Sequence, residues 1–235
     1  MRGTNHCLTA LAYCLLATSL VGCAATAESA GGLLGKMAGK KSAEEALDIK
    51  TPEDRANELR ELAARAHEKS PEEQTRITAE LAAEIRDEED PVMRRHLLRT
   101  LAQFRTPMSM SIMQAGLQDG DMEVRRAACL SLGNHGGPEA AQALSHVVGA
   151  DTSVDVRIAA VRALGETRDK SAVAPLADLL TDPDPAIQYR AQESLRKVSG
   201  RDYGGNVQAW REYAKTGESS AAEVSFAERM RRAIF

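Results

Sequence analysis

Arg94, Arg125 and Arg157 recur at steps of 31 and 32 residues, and a line of guanidinium groups so spaced has two possible uses. It can fix the stacking of repeated units by pairing with an acid or a loop carbonyl of an adjacent unit, or it can present a stripe to an anionic partner. The other residues that carry chemistry do not converge. His67, His96, His135 and His146 are scattered, and no pair sits at i, i+4 with an acid to make a metal face. Cys129, His135 and His146 lie near one another, but their spacing fits no zinc pattern. Ser131, Ser145 and Ser194 fall inside helical patterns with no nucleophile elbow, and Gly136-Gly137 and Gly204-Gly205 read as turns rather than a phosphate loop. The expectation is a protein that is not an enzyme, with no cofactor and no metal.

The elements that would position these residues follow from three apolar registers. Met93, Val124, Val156 and Ile187 are one; Leu101, Leu132, Leu164 and Leu195 a second; Met113, Leu144, Leu176 and Val207 a third. All three advance by 31, 32 and 31. A fixed period in this range marks a solenoid whose units bury their apolar faces only against neighbours. Each unit reads as two helices. Val124, Ala128 and Leu132 give a helical stripe in one first half, and Leu144, Val147 and Val148 a shorter one in the second. Asp90-Pro91, Thr106-Pro107, Gly137-Pro138 and Asp184-Pro185 each place an N-cap before a proline at the first helical position. No stretch sustains period-two alternation, so the predicted class is all-α with no β-sheet.

DMEVRRAACLSLG and VDVRIAAVRALGETRDKSAVAPLADLLTD resemble short HEAT repeats of the kind found in phycobilisome-lyase-like proteins. The matching positions are Asp121 and Asp184, the pairs Val124-Arg125 and Val156-Arg157, and the ends at Leu132-Gly133 and Leu164-Gly165. The last unit departs from the pattern, with Gln188 at the arginine position and Arg196 at the glycine position, as suits a cap facing water on one side. The resemblance implies an α-solenoid of about five helical hairpins and a binding architecture with no single activity. It also implies a stacking role for the arginine ladder, and second helices that line a concave face. On those helices Gln142, His146, Asp178, Gln208 and Arg211 stand off the apolar stripe and are the candidate partner-binding residues. Trp210 and Tyr213 read either as a contact hot spot or as the closure of the last unit's core, the latter favoured.

Residues 1–22 have a short positive start and an apolar run from Leu8 to Val21, too short to span a bilayer. The run ends in Leu20-Val21-Gly22-Cys23, which resembles a bacterial lipoprotein lipobox. The resemblance implies lipidation of Cys23 and a lipid anchor at the cell envelope. Ala24 after the cysteine resembles outer-membrane sorting. With Cys7 and Cys14 in the removed segment, Cys129 is the free cysteine that remains, at an apolar helix position where it packs as a small hydrophobe.

The predicted organisation is then 1–22 signal peptide, 23–50 lipidated cysteine and tether, 51–89 an N-terminal helical pair, 90–213 four repeats, and 214–235 a tail with a short helix from about Ala221. The chain has 30 basic and 34 acidic residues, a net charge of −4, which argues against a nucleic-acid partner. The function expected is a monomeric, membrane-anchored scaffold that binds a protein partner on its concave face. The alternative is an accessory subunit of an enzyme, phycobilin-lyase-like, holding a cofactor-bearing or modified protein.

Overall fold

The computed structural model describes residues 50–225, 227, 228, 230 and 231. The signal, Cys23 and tether expectations fall outside these residues. Ten α-helices and three 3-10 turns make up the described chain, with no strand among them. They pair as α1 Pro52–Ala64 with α2 Pro71–Asp87, α3 Pro91–Leu101 with α4 Pro107–Gly116, α5 Met122–His135 with α6 Pro138–Ala150, α7 Val154–Glu166 with α8 Val173–Asp178, and α9 Pro185–Ser199 with α10 Val207–Thr216. No described helix is long and apolar enough to cross a membrane.

The helix starts obey local chemistry. Ser70 and Glu73 form a reciprocal capping box at α2, and Asp90, Asp121 and Asp184 cap α3, α5 and α9 through their carboxylates. Thr106 caps α4 with Ser109 completing the box, a serine in the place usually held by Glu or Gln. The first helices stack on one another in unbroken series from α1 to α9; among the second helices α2 meets α4, α6 meets the 3-10 turn at Lys170–Ala172, and α8 meets α10. Small residues allow the tight side. A Cβ on Gly133 would stand 2.9 Å from Ala163 Cα, and one on Gly165 2.8 Å from Ser194 Cβ.

Two apolar cores run along the array. One joins Leu59, Ile77, Leu81, Met93, Leu97, Leu101 and Phe104, and the larger runs from Leu98 to Tyr213. Ile85 and Ile112 pack against both. The register residues Met93, Val124, Val156, Ile187, Leu101, Leu132, Leu164, Leu195, Met113, Leu144 and Leu176 are all buried, as a solenoid core requires. Trp210 is fully buried, donates its Nε1–H to Gly204 O at 2.9 Å, and meets Tyr203 edge-on at 4.9 Å, so it closes the last unit.

Three boundaries differ from expectation. The second helix of the fourth unit is broken into a 3-10 turn at Lys170–Ala172, the six-residue α8, and a 3-10 turn at Leu179–Thr181. Pro175 explains the first break, because it has no N–H to close an α-turn back to Ser171. Helix α10 runs on to Thr216, past the predicted edge of the repeats. Residues 221–225 are not helical; Val224 N–H instead bonds Asp202 O at 2.7 Å and Ala221 packs on the core, with helical backbone appearing only from residue 227.

Candidate functional site

The arginine ladder is built by the ends of the second helices. Arg94 in α3 donates through Nε and Nη2 to Asp119, both at 2.9 Å, and through Nη1 to the carbonyls of Glu88 and Glu89. Arg125 in α5 repeats this with Asp151 at 2.8 and 3.3 Å and the carbonyls of Asp119 and Gly120. Arg157 in α7 reaches Asp182 at 2.8 Å and Val148 O at 2.9 Å. Of the acid or loop carbonyl expected from an adjacent unit, the carbonyl is found and the acid is not. The carboxylate closes the arginine's own unit, and only the carbonyls come from the unit before. Gln188 keeps the second half of the arrangement alone, donating to Asp182 O at 2.6 Å.

Each ladder acid also accepts the amide two residues on. Asp119, Asp151 and Asp182 take the N–H of Asp121, Ser153 and Asp184, and Glu88 takes that of Asp90. Arg55, which no register pointed to, bonds Glu88 at 3.0 Å and Glu84, and so supplies the ladder's first rung. Burial pushes the Asp119 carboxyl up, but the Arg94 hydrogen bonds, the Asp121 amide and the charges of Arg94 and Arg125 outweigh it and hold the group below its usual range. At Asp151 the Arg125 hydrogen bond leads the downward shift, against burial and with help from the Ser153 amide. Arg94 and Arg125 are themselves raised, first by their acid partners.

The candidate partner-binding residues are all exposed but do not form one site. Gln142 and His146 lie one turn apart on α6; Asp178 and Arg211 pair with each other at 2.8 Å between α8 and α10; and no hydrogen bond joins the two pairs. Gln208 is exposed in the first turn of α10. His146 shares a cleft of about 330 Å³ with Arg125 and Asp151.

A second cleft was not foreseen. It holds about 540 Å³ between α2 and α4, with Ala79, Ala82, Ala83 and Ile85 on one wall, Met108, Ile112 and Ala115 on the other, and Leu98 and Val124 beneath. Met108 is 45% exposed at its rim. The sequence signal was a run of alanines on one face of α2 facing small residues on α4, which reads as ordinary helix former until the two helices are placed together.

Among the described residues no group of three or more His, Cys, Asp or Glu side chains is placed to hold a metal. Burial first, then the positive charges of Arg99, Arg60 and Arg95, holds His96 below the usual imidazole range; burial followed by Arg105 does the same for His135. Cys129 is fully buried, and burial pushes its thiol up to about 12.

No match is found among curated proteins. The family description for HEAT repeats matches residues 78–153 and 147–209, which takes in Arg94, Arg125 and Arg157 and the helices from α3 to α9. With the stacked hairpins and the repeated rungs, this identifies the fold: the chain belongs to the HEAT-repeat family, an all-α solenoid scaffold of a kind that often mediates protein interaction.

Proposed function

We propose that this chain is a non-catalytic scaffold, held at the bacterial cell envelope by lipid on Cys23, that binds a protein partner on the second-helix side of the array. The anchor reading rests on the Leu20-Val21-Gly22-Cys23 motif after a short apolar run. The partner reading rests on the cleft between α2 and α4. Its α2 wall is mostly alanine, its α4 wall is apolar, and its rim is an exposed methionine, so it is a trough that larger apolar side chains can fill. Arg86 lines it and makes no ion pair with a described residue. The occupant this favours is an amphipathic helix of the partner, with apolar residues one turn apart and a carboxylate at the Arg86 end. Gln142 and His146 stand further along the same layer as adaptable polar contacts.

A photo-crosslinking residue at Met108 tests the partner reading, with Val92 on the first-helix side as comparison. The expected result is an adduct at Met108 that maps to an amphipathic helix and is lost in Ala83→Glu. Adducts at Val92 alone would overturn the assignment of the face. Intact mass of the native protein from membranes tests the anchor: a chain beginning at Cys23 plus acyl groups, lost in Cys23→Ala, is expected, and an unlipidated mass would sink it.

A further inference from the structure

The first-helix side carries a different kind of surface. Helices α7 and α9 approach closely where Gly165 meets Ser194, whose Oγ donates to Val161 O at 2.9 Å. That approach sets Arg162 and Glu166 of α7 beside Arg190, Glu193, Arg196 and Lys197 of α9 around a cleft of about 660 Å³. Four cations there face two carboxylates, and both carboxylates are already engaged: Glu193 with Arg190 at 2.6 Å and Glu166 with Lys197 at 2.5 Å. Arg196 reaches Asp202 only at 3.6 Å. Arg162 makes no ion pair among the described residues.

This positive excess stands in a chain whose net charge is −4, so it is a local arrangement rather than a general property. Nor does the repeat demand it. At the register position of Arg196 the three preceding units hold Ala102, Gly133 and Gly165; at that of Arg190 they hold His96, Ala127 and Ala159. Packing at these positions is served elsewhere by Ala or Gly in all but His96, and the last unit replaces them with cations that line the cleft.

We propose that the cleft between α7 and α9 binds a phosphate-bearing ligand, held by the guanidinium fork of Arg162, with Arg190 and Lys197 turning from Glu193 and Glu166 to share their charge with it. A forked guanidinium matches two oxygens of a phosphate at once, and a phosphate offers a third oxygen to the lysine, which a carboxylate does not. The same chemistry is offered by a lipid headgroup and by a free phosphate.

The test uses the full chain as Cys23→Ala, so that no lipid anchor masks the result. Calorimetric titration with inorganic pyrophosphate at low salt is expected to show saturable binding, weakened roughly tenfold by Arg162→Gln and by Arg190→Gln. Arg99→Gln, at the equivalent position two units earlier, is expected to leave it unchanged. Thermal melts check that the variants fold, which Arg162→Gln should, since the arginine pairs with no described residue. Co-sedimentation with phosphatidylglycerol vesicles and not phosphatidylcholine, with the same sensitivity to Arg162→Gln, supports the site with a lipid headgroup as source. Absence of binding to both probes overturns it, as does binding indifferent to Arg162→Gln. A hexaglutamate peptide that binds as tightly as pyrophosphate overturns the phosphate assignment.

Discussion

Replacement of Arg125 probes the ladder at its most buried rung, where the arginine side chain is 17% exposed and Asp151 8%. Arg125→Ala removes four hydrogen bonds and leaves a buried carboxylate facing no cation, which costs about 3 kcal/mol. Arg125→Gln is milder, because the chain already contains that solution: Gln188 holds the preceding carbonyl at 2.6 Å without a carboxylate partner. The recovered bond returns about 1 kcal/mol, so the glutamine variant should lose about 2 kcal/mol. Combination with Asp151→Asn, which keeps an acceptor for the Ser153 amide, should show a coupling of about 1–2 kcal/mol in a double-mutant cycle. The pH dependence gives an independent check. The folded Asp151 carboxyl lies below its unfolded value of 3.8. The rung therefore stabilises fully above that value and loses its contribution as pH falls from 3.8 towards the lower folded value. Urea titrations at pH 7 and pH 3 should show the gap between wild type and Arg125→Gln shrinking at the lower pH. A gap equally large at pH 3, or an additive cycle, would refute the argument and leave Arg125 as a packing residue.

Gly133→Ala should destabilise by about 1–3 kcal/mol, because its Cβ would meet Ala163 backbone at 2.9 Å; Gly149→Ala in α6, where nothing lies within 4 Å, should stabilise by up to about 1 kcal/mol. Thermal melts of the two variants check the contrast. Trp210→Ala should cost about 3–5 kcal/mol, and its loss of hydrogen-exchange protection should concentrate in α9 and α10 rather than spread to α3. Cys129, buried and with its thiol pushed up to about 12, should resist alkylation at pH 8 in the folded protein. Peptide mapping should show it reacting only as urea unfolds the array.

The hairpin array was legible because burial in a solenoid repeats with the period of the unit, and three apolar registers carried it. Half of the ladder was legible as well, since arginines are sparse enough to stand out. Its acids recur too: Glu88, Asp119, Asp151 and Asp182 advance by the same 31, 32 and 31 as the apolar anchors. They are hidden among many other carboxylates, and Glu in one unit against Asp in three disguises the series. Arg55 is harder still, because the first unit is longer and its rung falls out of step. The break around α8 was readable from Pro175, but Val173 before it and Leu176, Leu179 and Leu180 after it make one continuous stripe that masks it. The clefts are a different matter. They depend on how far two helices stand apart, and that distance is set by backbone contacts such as Gly165 with Ser194, not by the residues that line the gap.

The ladder has a consequence for how such an array changes length. A hairpin brings both charged partners with it and asks of its predecessor only main-chain oxygens, which every sequence has. A duplicated hairpin therefore needs no matched charge in the host, only the small residues that stand at Gly133 and Gly165. Growth or shortening by whole hairpins is buffered against mutation at the seam, while a deletion that cuts between an arginine and the acid some 25 residues later strands a charge on one side. Viable length variants of this protein should differ by complete hairpins, cut in the linkers just before the capping aspartates.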